Sequence, residues 1–457
     1  MIKPKSLTIL RLGPLNFNRF LTKTATKRTL PSGNGRVSHR PSPALPYQKS
    51  PKGRRVALPS KASEVCTFQD LGLTNYMVDA LLETEPFQSI ANAKPTPIQL
   101  STIPAVLKNV VPSSVQRQDI LLAAETGSGK TLAYLLPLMQ LLKEQERNVD
   151  TEQRRHESLV ILVPTSELAA QVTAVTKALS HSIKLSSSKI TKHSPPLTRR
   201  VNIIVATPHV ALEADNREHI SQASYLCVDE ADTLFDKSFR QLTLRVIEAC
   251  TCLKAVIFCS ATYPDSLLKF LQKSYPNIRQ ISSPKLHSLP RRISIEILSV
   301  DKNYGGSANS ACLSCLNDIS HGQSESRRQV IIFVNKSASV ATLAAWLRGR
   351  GIKNIVEFTQ DSKDREKAVL GFLENRASDT QQILVTTDIS SRGLDTSNVR
   401  DVILYDMPLS PLNFLHRAGR TGRAGSRGNV HVLVKNSQEN SFARHMKDSA
   451  IQGRSIF

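Results

Sequence analysis

The chain has 457 residues and a formal charge of +22, with 40% of its residues hydrophobic. That length accommodates two or three cores of ordinary size, and no apolar run approaches the ~18 residues that a membrane-spanning helix needs. So positive a balance points to a polyanionic partner, and the placement of the charge matters more than its sum.

The first 63 residues hold fourteen Lys or Arg and no Asp or Glu, so the tail carries +14 and the remainder +8. Its opening, "MIKPKSLTILRLGPLNFNRFLTKTATKRTL", sets Leu7, Ile9, Leu10, Leu12, Leu15, Phe17, Phe20 and Leu21 among basic and hydroxyl residues. A basic, acid-free, amphipathic leader of this kind reads as a mitochondrial presequence, although Gly13 and Pro14 would interrupt its helix. Arginines break up the continuous apolar core that a secretory signal requires. The competing reading is a disordered basic arm that binds nucleic acid or directs import into the nucleus. Residues 31–61, rich in Pro, Ser, Arg and Lys, read as an unstructured linker.

Beyond the tail, short β-rich apolar runs alternate with helical stretches, the pattern of an α/β protein with parallel sheets. "DILLAAETGSGK" is a strand running into a glycine turn, and "SLVILVP", "VNIIVATP", "YLCVDEAD" and "KAVIFCSAT" are further buried strands. Residues 124–131, "AETGSGKT", fit a phosphate-binding loop in which Ala124 replaces the usual leading glycine. Gly127 and Gly129 let the backbone N–H groups of Glu125, Thr126 and Ser128 curl around phosphate oxygens, and the next helix adds its dipole. Lys130 would reach the β- and γ-phosphates of a nucleotide, and Thr131 would offer a hydroxyl to Mg²⁺. In "VDEAD", Asp229 at the carboxyl end of its strand can hold that metal through water, and Glu230 can deprotonate an attacking water. The bland reading of the same acids is a helix N-cap.

A stretch at 281–294, "ISSPKLHSLPRRIS", carries two prolines and reads as a linker. Residues 303–327 are rich in Gly, Ser and Asn around one short helix and read as an elaborated loop. A second series of strands comes next: "QVIIFVNK", "QILVTTD", "DVILYDMP" and "NVHVLVK". The seven cysteines fall mostly in apolar or helical patterns. "CLSC" at 312–315 has no second pair at metal spacing, and reads as helical thiols more readily than as a zinc or redox site. Near the end, "HRAGRTGRAG" packs three arginines among glycines with no carboxylate beside them, so the cluster must meet an anion from elsewhere.

Taken together these segments resemble a DEAD-box ATP-dependent RNA helicase of superfamily 2, over residues 64–457. The resemblance implies two tandem RecA-like domains, 64–283 and 295–457, joined by an interdomain linker at 284–294 and preceded by the tail at 1–63. "KPTPIQ" (94–99) is similar to the family's adenine-reading motif, which assigns Lys94 and Gln99 to the nucleotide, with Phe68 as the upstream aromatic stacked on the base. "SAT" (260–262) matches the motif that links hydrolysis to strand separation. In "TTDISSRGLD" the family pattern puts Thr387 on RNA, Asp395 on the ribose, and Arg392 and Gly393 at the interdomain seam. Arg420 and Arg423 match arginines that cross the cleft to the γ-phosphate. That would explain why the cluster lies about 300 residues beyond the phosphate loop. The resemblance further implies ATP as substrate, Mg²⁺ as cofactor, and RNA bound with little sequence preference. Pre-ribosomal proteins become candidate partners, and the enzyme would act as a monomer. The presequence and the departures from the family pattern are similar to those of fungal mitochondrial helicases of large-ribosomal-subunit assembly. That sets a matrix location against a nuclear one, and a remodeller against a clamp that does not unwind.

The departures lie on the RNA side. Ser166 stands where the family has Arg, His209 and Val210 where it has Gly and Arg, Ser362 where it has Gln, and Phe358 where it has Gly, although Arg365 is kept. The basic segment 184–200 reads as a loop that could compensate. Arginine restored at Ser166 and Val210 is expected to steepen the salt dependence of RNA binding.

Overall fold

The computed structural model describes residues 55–56, 66–84, 93–110, 117–148, 157–192, 194–195, 197–283, 286–321, 329–359, 372, 381–388, 396, 398–423 and 426–455. The first sheet contains β1 (Arg55–Val56), β2 (Gln118–Ala123), β3 (Leu159–Leu162), β4 (Ser187–Lys189), β5 (Ile203–Ala206), β6 (Tyr225–Asp229), β7 (Ala255–Ser260) and β8 (Arg279–Ser282). These run in the order β1-β8-β2-β7-β6-β3-β5-β4, every pair parallel. A second sheet contains β9 (Ile293–Ser299), β10 (Gln329–Phe333), β11 (Ile355–Phe358), β12 (Gln382–Thr386), β13 (Val399–Leu404) and β14 (Gly428–Val434). Its order is β11-β12-β10-β13-β14-β9, again wholly parallel.

Each sheet is buried on both faces, which is why its central strands are continuous apolar runs. Successive side chains of a strand point to opposite faces. Accordingly Ile120 and Leu122 of β2 join one core, while Leu121 and Ala123 join the other. Ile331 and Phe333 of β10 likewise face away from Val330 and Ile332. Each fully buried Ile, Leu or Phe is worth about 1.5–3 kcal/mol. This burial, more than any single polar contact, holds the sheets in register.

The structure corrects the sequence reading at three places and adds to it at a fourth. The segment 184–200 is not one loop: Ser187–Lys189 is the edge strand β4, and Ser186 N–H donates to Asn202 Oδ1 at 2.9 Å. This pairing sets Lys189 and Lys192 toward the carboxyl rim of the sheet, and Lys184, Arg199 and Arg200 toward the opposite rim. Residues 303–327 include the fourteen-residue helix Ala308–His321, whose Ala311, Cys312, Cys315, Leu316 and Ile319 form one buried stripe. The two cysteines of "CLSC" are free, buried thiols of that stripe. In the tail, Arg55–Val56 pairs with β8 and extends the first sheet. The linker is also packed: Leu286 lies against the first domain's core, and Leu289 is 3% exposed in the second's.

Candidate functional site

Functional residues collect at the carboxyl ends of the central strands, where open parallel sheets bind ligands. The phosphate loop leaves β2 and enters the helix Lys130–Asn148; Asp229 is the last residue of β6, and Ser260 the last of β7. Gly129 has φ 89°, a left-handed conformation that favours glycine. A Cβ there would stand 2.5 Å from Gln99 Nε2. Lys130 Nζ donates to the carbonyls of Ala124 (2.8 Å) and Glu125 (2.9 Å), folding the loop around its own ammonium.

The two acids of the β6 turn are held differently. Asp229 accepts from Tyr134 Oη at 2.9 Å and from Glu230 N–H at 2.9 Å. Burial raises its pKa against the lowering effect of those bonds and of Lys130. Glu230 sits at φ 51°, a strained conformation costing on the order of 1–3 kcal/mol for a residue other than glycine. Burial raises its pKa as well, opposed by the positive charge of Arg420. A strained carboxyl with a raised pKa in a cleft has the character of a proton acceptor poised for work.

The second domain reaches this turn directly. His416 Nε2 lies 3.2 Å from Asp232 Oδ2 and 3.4 Å from Thr262 Oγ1, and the Thr262 hydroxyl donates to Asp232. Burial resists ionisation of Asp232, but the bonds from His416 and Thr262 outweigh it and hold the carboxyl well below the usual carboxylate range. Gly419 packs against the phosphate loop so closely that a Cβ would lie 2.7 Å from Thr126 Oγ1. Lys130, Thr131, Asp229, Glu230, Arg420 and Arg423 all line one cleft of about 520 Å³.

Three arginines of the last motif divide the work. Arg417, 0% exposed, makes a two-pronged contact with Asp388 (2.6 and 2.8 Å) and donates to Asp406 O (2.7 Å) and Asn335 Oδ1 (2.6 Å). Its counter-charge therefore comes from "TTD", 29 residues upstream, which the sequence reading did not pair with it. Arg420 is 5% exposed and influences Glu230. Arg423 Nε donates to Gly419 O at 2.9 Å.

Other expected residues fall elsewhere. Phe68, expected to stack on a base, is a core residue at 2% exposure and does not line the cleft. Gln99 is 2% exposed; its Oε1 accepts from Thr96 N–H at 2.8 Å, capping its own helix, and its Nε2 donates to Gly129 O at 3.2 Å. Lys94 is exposed ahead of that helix. Thr387, expected on RNA, is 7% exposed. Asp395, Arg392, Gly393, Ser362 and Arg365 lie outside the described residues. Sequence reasoning missed Tyr134 and Asp388, because hydrogen bonds from a helix to a segment far away in the chain leave no spacing signal.

On the carboxyl rim of β3 and β5, Ser166 and His209 are exposed, whereas Val210 is 9% exposed and packs in the core. An arginine at 210 would disrupt packing, so the informative variant changes Ser166→Arg together with His209→Arg. Its RNA affinity should fall more steeply with salt, the slope growing by about one to two counterions. Binding titrations from low to high salt read this directly, and an unchanged slope would show that this rim does not follow the RNA backbone.

Comparison with known proteins accords with this arrangement. Residues 96–270 match the DEAD/DEAH box helicase family, and residues 310–425 match the helicase conserved C-terminal domain. Among curated relatives, "ATP-dependent RNA helicase mrh4, mitochondrial" of Aspergillus terreus is 32% identical over 89% of this chain and 80% of its own. The protein of that name from Pyricularia oryzae is 32% identical over 88% and 76%. Among solved structures, S. cerevisiae Dbp5 bound to RNA and ADP BeF3 aligns with a TM-score of 0.65 at 22% identity, over 84% of this chain and 93% of that one. Mss116p bound to ssRNA and AMP-PNP aligns at 0.68 and 24%, over 87% and 80%. These two likenesses bear on the fold alone. The chain belongs to the DEAD-box family: it is an ATP-dependent RNA helicase, an enzyme that binds RNA and ATP and hydrolyses the ATP.

Proposed function

We propose that this helicase remodels RNA in mitochondria by closing its two domains, 64–283 and 295–457, around a single ATP, the segment 284–294 serving as the connection. The observation that carries the reading is that Lys130, Asp229 and Glu230 of the first domain line the same cleft as Arg420 and Arg423 of the second. In this reading Lys130 and the N–H groups of residues 124–131 hold the phosphates, Glu230 takes a proton from the attacking water, and the two arginines stabilise charge on the γ-phosphate. Gln99 and Lys94 lie toward the base, and Asp395 toward the ribose.

The buried carboxylate of Asp229 and the hydroxyl of Thr131 are hard oxygen donors beside phosphate-binding nitrogens, a set that fits Mg²⁺, which is usually held by one or two protein oxygens plus phosphates. When bound, the ion would neutralise charge on the phosphate oxygens. Tyr134 orients Asp229 for that role.

RNA would lie along the carboxyl rim, held mainly through phosphates and 2′-hydroxyls, with little preference for sequence. The acid-free basic opening and the names of the relatives support a mitochondrial matrix location. Assembly of the large ribosomal subunit, among pre-ribosomal proteins and by a monomer, is the task this reading assigns. Among the described residues no helix is long and apolar enough to cross a membrane.

Glu230→Gln tests the chemistry. ATP affinity should stay within about twofold while kcat falls about 10²–10⁴-fold, the usual worth of a positioned base. A variant with ordinary turnover in a steady-state phosphate assay would overturn the assignment. Strand separation of a short duplex by the wild type distinguishes a remodeller from a clamp.

A further inference from the structure

A second cavity, of about 840 Å³, shares Thr126, Gly127 and Arg423 with the cleft just described. Its walls are the phosphate loop, the connecting residues 288–292, the stretch after the last arginine motif, and the end of the final helix. Arg291, Arg292, Arg423 and Arg427 line it, against one carboxylate, Glu125, among the described lining residues. Arg291, Arg292 and Arg427 belong to none of the motifs that assemble the cleft.

Two glycines border these side chains, and one of them gives Arg291 its room. A Cβ on Gly453 would lie 3.3 Å from Arg291 Nε and 3.6 Å from its Nη2, so this guanidinium crosses the turn that ends the helix Ser437–Gln452. The carbonyl end of a helix favours a cation there. Gly422, in a left-handed turn at φ 67°, is crossed by Ile293, whose Cγ1 would lie 2.6 Å from a Cβ there, and the stem of Arg292 runs beside it, its Cγ at 3.7 Å.

We propose that this cavity is a holding site for the inorganic phosphate cut from ATP, which passes Arg423 and is detained by Arg291, Arg292 and Arg427 before it reaches solvent. The inference rests on the assignment of Arg423 to the γ-phosphate. Hydrogen phosphate is a dianion, and guanidinium groups bind it through paired, charge-assisted hydrogen bonds. RNA phosphates would satisfy the same arginines, but the wall here is the phosphate loop itself, whereas Ser166 and His209 stand on the rim of β3 and β5. Because residues 288–292 form one wall, the exit of phosphate depends on how the connecting segment is set.

The test uses the full chain with RNA and ADP present, titrated calorimetrically with inorganic phosphate. Wild type and Glu230→Gln should bind phosphate alike, while the double variant Arg292→Gln/Arg427→Gln binds it about tenfold more weakly. Both arginines are exposed, so the double variant should melt as the wild type does. In a single turnover its ATP cleavage, read by acid quench, should be unchanged. Its phosphate release, read by a fluorescent phosphate-binding protein, should track cleavage without the wild-type lag. Equal phosphate affinity in wild type and double variant would overturn the proposal. So would a loss of RNA affinity with phosphate affinity intact, or phosphate binding that only Arg423→Gln weakens. Because Glu230→Gln reports on cleavage without touching this cavity, a failure of the catalytic reading shows separately.

Discussion

Arg420→Ala should lower kcat of RNA-stimulated ATP hydrolysis by about a thousandfold, the scale measured for arginine fingers, while leaving ATP affinity far less changed. The reason is the position of Arg420 rather than its charge alone. Its guanidinium enters from the second domain, is 5% exposed, and shares the cleft with Lys130 and Glu230. It also acts on Glu230, whose carboxyl burial pushes up and Arg420 holds down. Removing the positive charge makes the carboxylate harder to form, so the folded-state pKa of Glu230 rises further. The acid limb of the kcat profile should therefore move to higher pH in Arg420→Ala. Arg420→Lys should keep that limb near its wild-type position while recovering little of kcat, because an ammonium lacks the planar fork. A wild-type pH profile in the alanine variant would show that the two groups are not coupled.

The second large effect is on stability. Arg417 is buried at 0% exposure, and its guanidinium is spent on Asp388, Asp406 and Asn335. Arg417→Met removes the cation from the Asp388 carboxylate, which keeps the Asn413 amide at 3.1 Å but no longer has its counter-charge, a loss worth about 3 kcal/mol, the lower end for a broken buried pair. For a domain of this size the melting temperature should fall by roughly 10 °C. Neutralising the survivor as well, in Arg417→Met/Asp388→Asn, should return part of that loss, since the uncompensated charge is the costly element. Calorimetry of the three chains decides the matter. A double variant no more stable than the single one would show that shape, and not charge, is what Arg417 supplies.

How much could be seen from the residues alone depended on burial. Every strand expected from a continuous apolar run is present, because a strand covered on both faces must be apolar throughout. Among the unforeseen strands, β4 is "SSK", β11 closes an edge with four residues, and β9 alternates exposed Ser294 and Glu296 with buried Ile293 and Ile295. Such strands carry no uninterrupted signal. The same logic divides the cleft. Lys130, Asp229 and Glu230 sit in local motifs whose spacing encodes a turn, so they could be picked out directly. The partnership of Arg417 with Asp388, and of Tyr134 with Asp229, is made between segments brought together only by folding. Val210 misled because a motif position was equated with an outward direction, whereas its short helix turns that side chain into the core. Phe68 shows a related limit: an aromatic in the expected place reads as a platform for a base, and its packing in the core at 2% exposure is not visible from the residues alone.

The packed connection between the sheets has a mechanical consequence. Leu286 is fixed on one core and Leu289 on the other, and His287 between them accepts from the Tyr263 amide at 3.2 Å. Three residues of extended chain reach only about 10 Å, so the two halves can pivot around this point but cannot drift apart. On so short a leash each arginine meets the opposite loop at an effective concentration of about millimolar or above. The same halves supplied as separate polypeptides would have to be mixed at comparable concentrations to find one another.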